Sequence, residues 1–290
     1  MDDAVGHVDV DWAGRPVRIE HAWIAPGRRG RPLFVFLHEG LGSLAMWKDF
    51  PRTLCDALDV RGLVFSRPRN GRSTAVPRDE RWDVDYMHRA AREGLPAFFA
   101  AVGLDTRRDP PWLFGHSDGA SIALLHAAAC PDRVAGLVVL APHLFVETVS
   151  LESIAATRQA YLETDLKERL ARYHDDVDAA FWGWNDIWLH PPFRAWNIEE
   201  ELTSIRAPVL AVQGRDDEYG TLAQVEAVAK AVPGTRVVVL DDCRHSPHKD
   251  QPARLVEEVA RFFELPGARR TGSSNHRHTA TTASSKEETS

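Results

Sequence analysis

The stretch Trp112-Leu113-Phe114-Gly115-His116-Ser117-Asp118-Gly119-Ala120-Ser121-Ile122-Ala123-Leu124-Leu125 decides how the chain is read. It opens with a short apolar run, closes on a helix-like run, and carries a glycine on each side of Ser117. A strand that passes into a helix through a turn too tight for flanking side chains needs glycine at both places. The serine at the apex is then held above the carboxyl ends of a parallel sheet. A pattern this short recurs by chance, so the reading requires an acid and a histidine later in the chain, in that order.

Both follow. Val209-Leu210-Ala211-Val212-Gln213 reads as a buried strand and runs into Gly214-Arg215-Asp216-Asp217-Glu218. A further strand, Arg236-Val237-Val238-Val239-Leu240, leads through Asp241-Asp242-Cys243 to Arg244-His245-Ser246-Pro247-His248. Each candidate sits just past the carboxyl end of a predicted strand, where reacting groups converge in an open α/β sheet.

The rest of the chain supports such a sheet. Val8 to Ile24 alternates around Ala13-Gly14-Arg15 and predicts an antiparallel hairpin. Leu33 to Leu37, Leu63 to Phe65, Trp112 to Phe114 and Gly136 to Leu140 predict buried strands. Between them lie helical stretches, including Asp83 to Ala101, which Pro96 kinks or divides, and Ser121 to Ala129, which stops before Pro131. This alternation predicts a mostly parallel sheet with helices on both faces. It breaks after Pro142. From Phe145 to Ile205 the sequence is helix-like, with Trp182, Trp184, Trp188 and Trp196 in it, which predicts an inserted helical cap and explains the distance from the serine to the acid. The expected division is a core over 1–144 and 206–266, the cap over 145–205, and a tail over 267–290 whose polar composition predicts disorder. His276 and His278 lie in that tail and read as solvated rather than metal-binding.

At 290 residues and 44% hydrophobic content the chain can bury one large core. The formal charge of −7 is spread thinly. That excludes a nucleic-acid footprint or a polybasic membrane patch and leaves small neutral or cationic partners. Three scattered cysteines, Cys55, Cys130 and Cys243, make no disulfide framework, and Met1-Asp2-Asp3-Ala4 is no export signal, so a cytoplasmic protein with reduced thiols is expected. No apolar run approaches the roughly 20 residues of a membrane-spanning helix.

Together these features resemble the α/β-hydrolase family over roughly Leu33 to Glu264, most closely its capped carboxylesterase and lactonase branch. Four pieces match in order: the loop Leu37-His38-Glu39-Gly40-Leu41-Gly42-Ser43, the loop Ser66-Arg67-Pro68-Arg69-Asn70-Gly71-Arg72-Ser73, the turn at Ser117, and the acid and histidine loops. The resemblance implies an α/β-hydrolase fold and a serine hydrolase of small, largely apolar esters or lactones. Ser117 is the nucleophile and His245 its base, oriented by an acid. The family places that acid three residues after the strand-ending glycine, which selects Asp217 over Asp216. Arg244 stands where the family has glycine, and His248 competes with His245, which the spacing to Pro247 and Pro252 favours. The backbone N–H of Asp118 supplies one oxyanion donor, and Gly40 or Leu41, depending on the alignment, the other.

Glu39 departs from the family's usual His-Gly start. It reads as a carboxylate bonded to nearby backbone N–H groups or as a substrate contact. Asp118 either faces the pocket or caps its helix. His116 is expected to be structural, His143 either structural or pocket-lining. Of Phe181, Trp182, Trp184, Trp188, Phe193 and Trp196, most are expected to pack and one or two to touch substrate, with Trp182, Trp184 and Trp188 the candidates. No metal or organic cofactor is expected, and the oligomeric state is open. A carbon-carbon bond hydrolase, a thioesterase or a proline iminopeptidase carries the same triad, and a small-molecule receptor is the alternative of another class.

Overall fold

Strand residues that alternate between two apolar faces bury both sides of a sheet. In Leu33–Leu37, residues 33, 35 and 37 pack into one core and Phe34 and Phe36 into another, all of them fully buried. A computed structural model describes residues 5–264 and organises them around an eight-stranded sheet. Its strands are β1 (Val5–Trp12), β2 (Arg15–Ile24), β3 (Leu33–Leu37), β4 (Arg61–Phe65), β5 (Trp112–His116), β6 (Gly136–Leu140), β7 (Val209–Gly214) and β8 (Arg236–Leu240), in the spatial order β1-β2-β4-β3-β5-β6-β7-β8. The β1–β2 hairpin pairs Trp12 with Arg15, so its turn is Ala13-Gly14, both at positive φ, the geometry that matches strand twist. β2 joins β4 antiparallel, and the remaining pairs from β4 to β8 are parallel.

Helices cover both faces: α1 (Phe50–Leu58), α2 (Tyr86–Arg89), α3 (Leu95–Ala101), α4 (Asp118–Ala129), α5 (Thr148–Glu163), α6 (Leu166–Leu170), α7 (Val177–Trp188), α8 (Ala223–Ala231), α9 (Pro247–Asp250) and α10 (Pro252–Phe263). The helix expected from Asp83 to Ala101 is divided. Pro96 has no N–H for the carbonyl of Arg92, and a π-turn over Ala90–Gly94 absorbs the mismatch between α2 and α3. In α10, Leu255, Val259 and Phe262 are buried as their helical spacing requires.

Chain order sets where a site can form. From β3 the chain moves to β4 on one side and later returns to β5 on the other, so a crevice opens at the carboxyl ends of β3 and β5. Residues 38–43 leave β3 there, and Ser117 leaves β5. Between β6 and β7 the chain passes through α5, α6 and α7, and its residues 145 and 197 are joined by an isolated bridge. Ile187, Trp188, Phe193 and Trp196 join the main core, while Tyr161, Leu170, Phe181 and Trp182 form a smaller cluster. No helix among the described residues is long and apolar enough to cross a membrane, and Cys55, Cys130 and Cys243 form no disulfide with one another. His276 and His278 lie outside the described residues.

Candidate active site

Ser117 sits at φ 53°, a strained value for a residue with a Cβ. The turn is held from both ends. Its N–H donates to the carbonyl of Leu140 at 2.9 Å, and its carbonyl accepts from Ala120 and Ser121 at 2.8 and 3.1 Å, starting α4. Both glycines are required by close approach. A Cβ on Gly119 would lie 2.2 Å from the carbonyl oxygen of Leu37, and one on Gly115 2.5 Å from Cα of Ala120.

The acid and histidine loops meet through their backbones. Arg215 N–H donates to Leu240 at 2.8 Å, and Asp216 N–H to Cys243 at 3.0 Å. Asp217 is the acid that faces His245: Nδ1 of His245 lies 2.8 Å from Oδ1 of Asp217. That carboxylate, 2% exposed, also accepts from Tyr219 N–H at 2.8 Å and from Nε2 of Gln213 at 3.1 Å. Burial works to raise its pKa, but the charge and hydrogen bond of His245 together hold it below the usual carboxylate range. Arg244 is accommodated in place of glycine because its side chain is exposed, near Glu218 at 3.6 Å. His248 is buried elsewhere, its ring 4.7 Å from that of Trp47.

Ser117 and His245 share the wall of a cavity of about 170 Å³. Gly40, Leu41 and Asp118 line it, as do Glu39, His143, Trp184 and Trp188 among the other sequence candidates. Trp184 stands directly over Gly40, where a Cβ would come within 2.1 Å of its ring. Trp182 is a correction: it lies outside this wall, because α7 turns it toward Tyr161 and Phe181, with the guanidinium of Arg78 4.1 Å from its ring centroid. Of the other aromatics, Phe181, Phe193 and Trp196 pack in the interior.

Three further expectations resolve into specific contacts. Glu39, read as a backbone-bonded carboxylate or a substrate contact, pairs with Lys249 at 3.3 Å, lies 3.5 Å from Nδ1 of His116 and lines the cavity. Asp118 does not cap α4. Its carboxylate accepts from Tyr86 OH at 2.8 Å and from Trp188 Nε1 at 3.2 Å. Burial raises its pKa against the opposing pull of Arg67. His116 is fully buried and donates from Nε2 to the carbonyl of His245 at 2.7 Å, the structural role expected of it.

The sequence reading left unassigned the residues that hold the loop 38–43. The Arg67 guanidinium donates to the carbonyls of His38 and Glu39, and Nδ2 of Asn70 to those of Gly40 and Gly42 at 3.1 and 3.0 Å. Ile154, Glu218 and Tyr219, also in the cavity wall, went unread as well. The one available signal was an arginine and an asparagine in the loop that follows the apolar run Leu63-Val64-Phe65. Among the described residues no group of three or more His, Cys, Asp or Glu side chains is arranged to hold a metal ion.

Six histidines are buried: His38, His116, His126, His143, His174 and His248. Burial is the main cause lowering the pKa of each, to about 3 for His143. Between the unfolded value of 6.5 and these lowered values the unfolded chain binds more protons, so stability is lost there as pH decreases. Urea midpoints are expected to hold above pH 7 and drop steeply below 6.5, each histidine adding up to about 1.4 kcal/mol per pH unit. A flat profile from pH 7 to 5 would show that these rings titrate normally.

Residues 34–258 match the alpha/beta hydrolase family. A pimeloyl-[acyl-carrier protein] methyl ester esterase of Aromatoleum aromaticum is 28% identical over 116 residues, 39% of this chain, and the match spans only 44% of that relative's length. An N-formylmaleamate deformylase of Pseudomonas putida is 26% identical over 230 residues, 72% of this chain and 78% of that protein. Among solved structures, a membrane phospholipase A described as a bacterial virulence factor superposes with a TM-score of 0.71 at 22% identity, over 92% of this chain and 87% of that one, a likeness of fold. The protein is therefore an enzyme of the alpha/beta hydrolase family.

Proposed function

We propose that the protein is a serine hydrolase that cleaves a small, largely apolar carboxylic ester or lactone through an acyl-enzyme. The observation that carries this reading is the 2.8 Å contact between His245 and Asp217 in a loop that shares a cavity with the strained Ser117. The Ser117 hydroxyl attacks the acyl carbon while Nε2 of His245 takes its proton, and Asp217 stabilises the imidazolium. The oxyanion is received by the N–H of Asp118, at the first turn of α4, and by that of Gly40 or Leu41. Collapse expels the alcohol, which takes the proton back from His245. Water, activated by the same base, then frees the acid and regenerates Ser117. No metal or organic cofactor enters the scheme.

Residues 145–205 serve as a cap over cores 1–144 and 206–266: Ile154, Trp184 and Trp188 reach from it into the cavity wall. At 170 Å³ the cavity has the volume of about six water molecules, which fits a short acyl chain. The name of the Aromatoleum relative, a methyl ester esterase, agrees with ester chemistry. A fluorophosphonate should label Ser117, and short-chain nitrophenyl esters should turn over. Labelling without ester turnover would redirect the search to thioesters, amides or carbon-carbon bonds, and neither signal would sink the hydrolase reading in favour of a small-molecule receptor.

Asn70 offers a test of the oxyanion loop away from the reacting atoms. Asn70→Ala removes both bonds to the Gly40 and Gly42 carbonyls, and the N–H donors of that loop lose their aim. We expect kcat to fall about 10- to 100-fold with little change in KM. Steady-state kinetics beside a melting curve check this, and an unchanged kcat would remove Asn70 from the scheme.

A further inference from the structure

The charged groups around the cavity are arranged unevenly. Glu39, Asp118 and Glu218 line it, and among the described residues no lysine or arginine does. The balancing cations stand behind: Lys249 pairs with Glu39, Arg67 lies behind Asp118, and Arg244 approaches Glu218 from solvent. Both carboxylate oxygens of Asp118 are committed, to Tyr86 and Trp188. Glu218 is different. Its Oε2 accepts from the backbone N–H of His245 at 3.2 Å, while its Oε1 takes no hydrogen bond among the described residues.

A second polar group of the wall lacks a partner. His143, 3% exposed and also in the wall, has a buried Nδ1 with no partner, and an unsatisfied buried polar atom is costly. Burial, with the neighbouring His245, holds this ring neutral, so it gives a carboxylate no counter-charge. His116 is fully buried, and burial lowers its pKa too. An anionic substrate group entering here loses its water and meets carboxylates, whereas a group rich in N–H donors meets acceptors.

We propose that the cavity selects an ester whose acyl part bears a protonated amine, with Glu218 as the acceptor of that amine and His143 as a neutral polar neighbour, and that it excludes acyl groups bearing a carboxylate. The proposal rests on the serine-hydrolase reading and adds the substrate class. Asp118 contributes field rather than contact, since both its oxygens are engaged, and Glu39 is held by Lys249 at 3.3 Å.

Methyl isovalerate, valine methyl ester and monomethyl succinate form a series of similar size carrying no charge, an ammonium and a carboxylate. With methanol release as the readout, kcat/KM for the valine ester should exceed that for methyl isovalerate about tenfold, and monomethyl succinate should fall about 100-fold below it. Glu218→Gln should bring the first ratio close to one. Equal rates on the neutral and anionic esters, or an ammonium preference unmoved by Glu218→Gln, would overturn the proposal. Binding of the three intact esters to the Ser117→Ala protein separates this from the hydrolase reading. The same order of affinity without turnover by the native enzyme would sink the hydrolase alone, and failure to bind the valine ester preferentially would sink the charge selection.

Discussion

Ser117→Ala is expected to lower kcat about 10⁶-fold, equivalent to about 8 kcal/mol in the barrier, while leaving the fold intact. In the proposed mechanism the hydroxyl forms the acyl bond, so its loss removes the covalent path rather than weakening it. What survives is the contribution of the oxyanion donors and of binding, about 10³-fold over water. Stability should scarcely change, because alanine keeps the Cβ and with it the strain of the 53° φ angle, and the backbone bonds of the turn to Leu140, Ala120 and Ser121 are untouched. Ser117→Gly makes the complementary case. It is equally inactive, but it relieves a conformation disfavoured for any residue with a Cβ, and it should stabilise by about 1 kcal/mol. Rate measurements with melting curves for both variants test the pair. Retention of more than a hundredth of native activity in Ser117→Ala would remove the serine from the chemistry.

What could be read from the sequence is what chain-local rules determine. The turn at Ser117 was legible because a strand, two glycines and a helix are contiguous, and the strand ends at Gly214 and Leu240 located the acid and histidine loops because short runs rich in β-branched residues admit few other readings. The β3-to-β5 neighbourhood was not read, because strand order depends on packing between segments far apart in the chain. The contacts of Asp118 and Glu39 were out of reach: their partners Tyr86, Trp188 and Lys249 are 32, 70 and 210 residues away in the chain. Each carboxylate was therefore left between a local backbone partner and the pocket, and both line the cavity. Trp182 and Trp184 fare differently for another reason. They lie two apart in α7, so they point to different sides of the helix, and only its packing decides which side faces the cavity. Asn70 was passed over because a polar residue in a loop looks solvated until the loop proves to be buried.

Asp217→Asn should cost about 10⁴-fold in kcat, about 5.5 kcal/mol, and Asp216→Asn less than about twofold. Every neighbour of the Asp217 carboxylate is a donor: Nδ1 of His245 and the N–H of Tyr219 at Oδ1, and the Gln213 amide at Oδ2. Asparagine has one acceptor oxygen for these three. If its oxygen faces His245, its NH₂ confronts the NH₂ of Gln213, whose own reversal would sacrifice bonds to the carbonyls of Gly220 and Thr221. If instead its NH₂ faces His245, the imidazole must carry its proton on Nε2, and it cannot accept the proton of Ser117. Stability carries a second signature. The folded pKa of Asp217 lies below its unfolded value, so the carboxylate stabilises the protein above about pH 3.8 and stops doing so as pH falls through the folded pKa. The asparagine variant should accordingly melt below the native protein at pH 7, and the gap should narrow toward the acid end. An equal loss of activity in Asp216→Asn would transfer the role to the neighbouring carboxylate, whereas a melting gap without a rate loss would make the His245–Asp217 pair a structural bond and leave Ser117 without an oriented base.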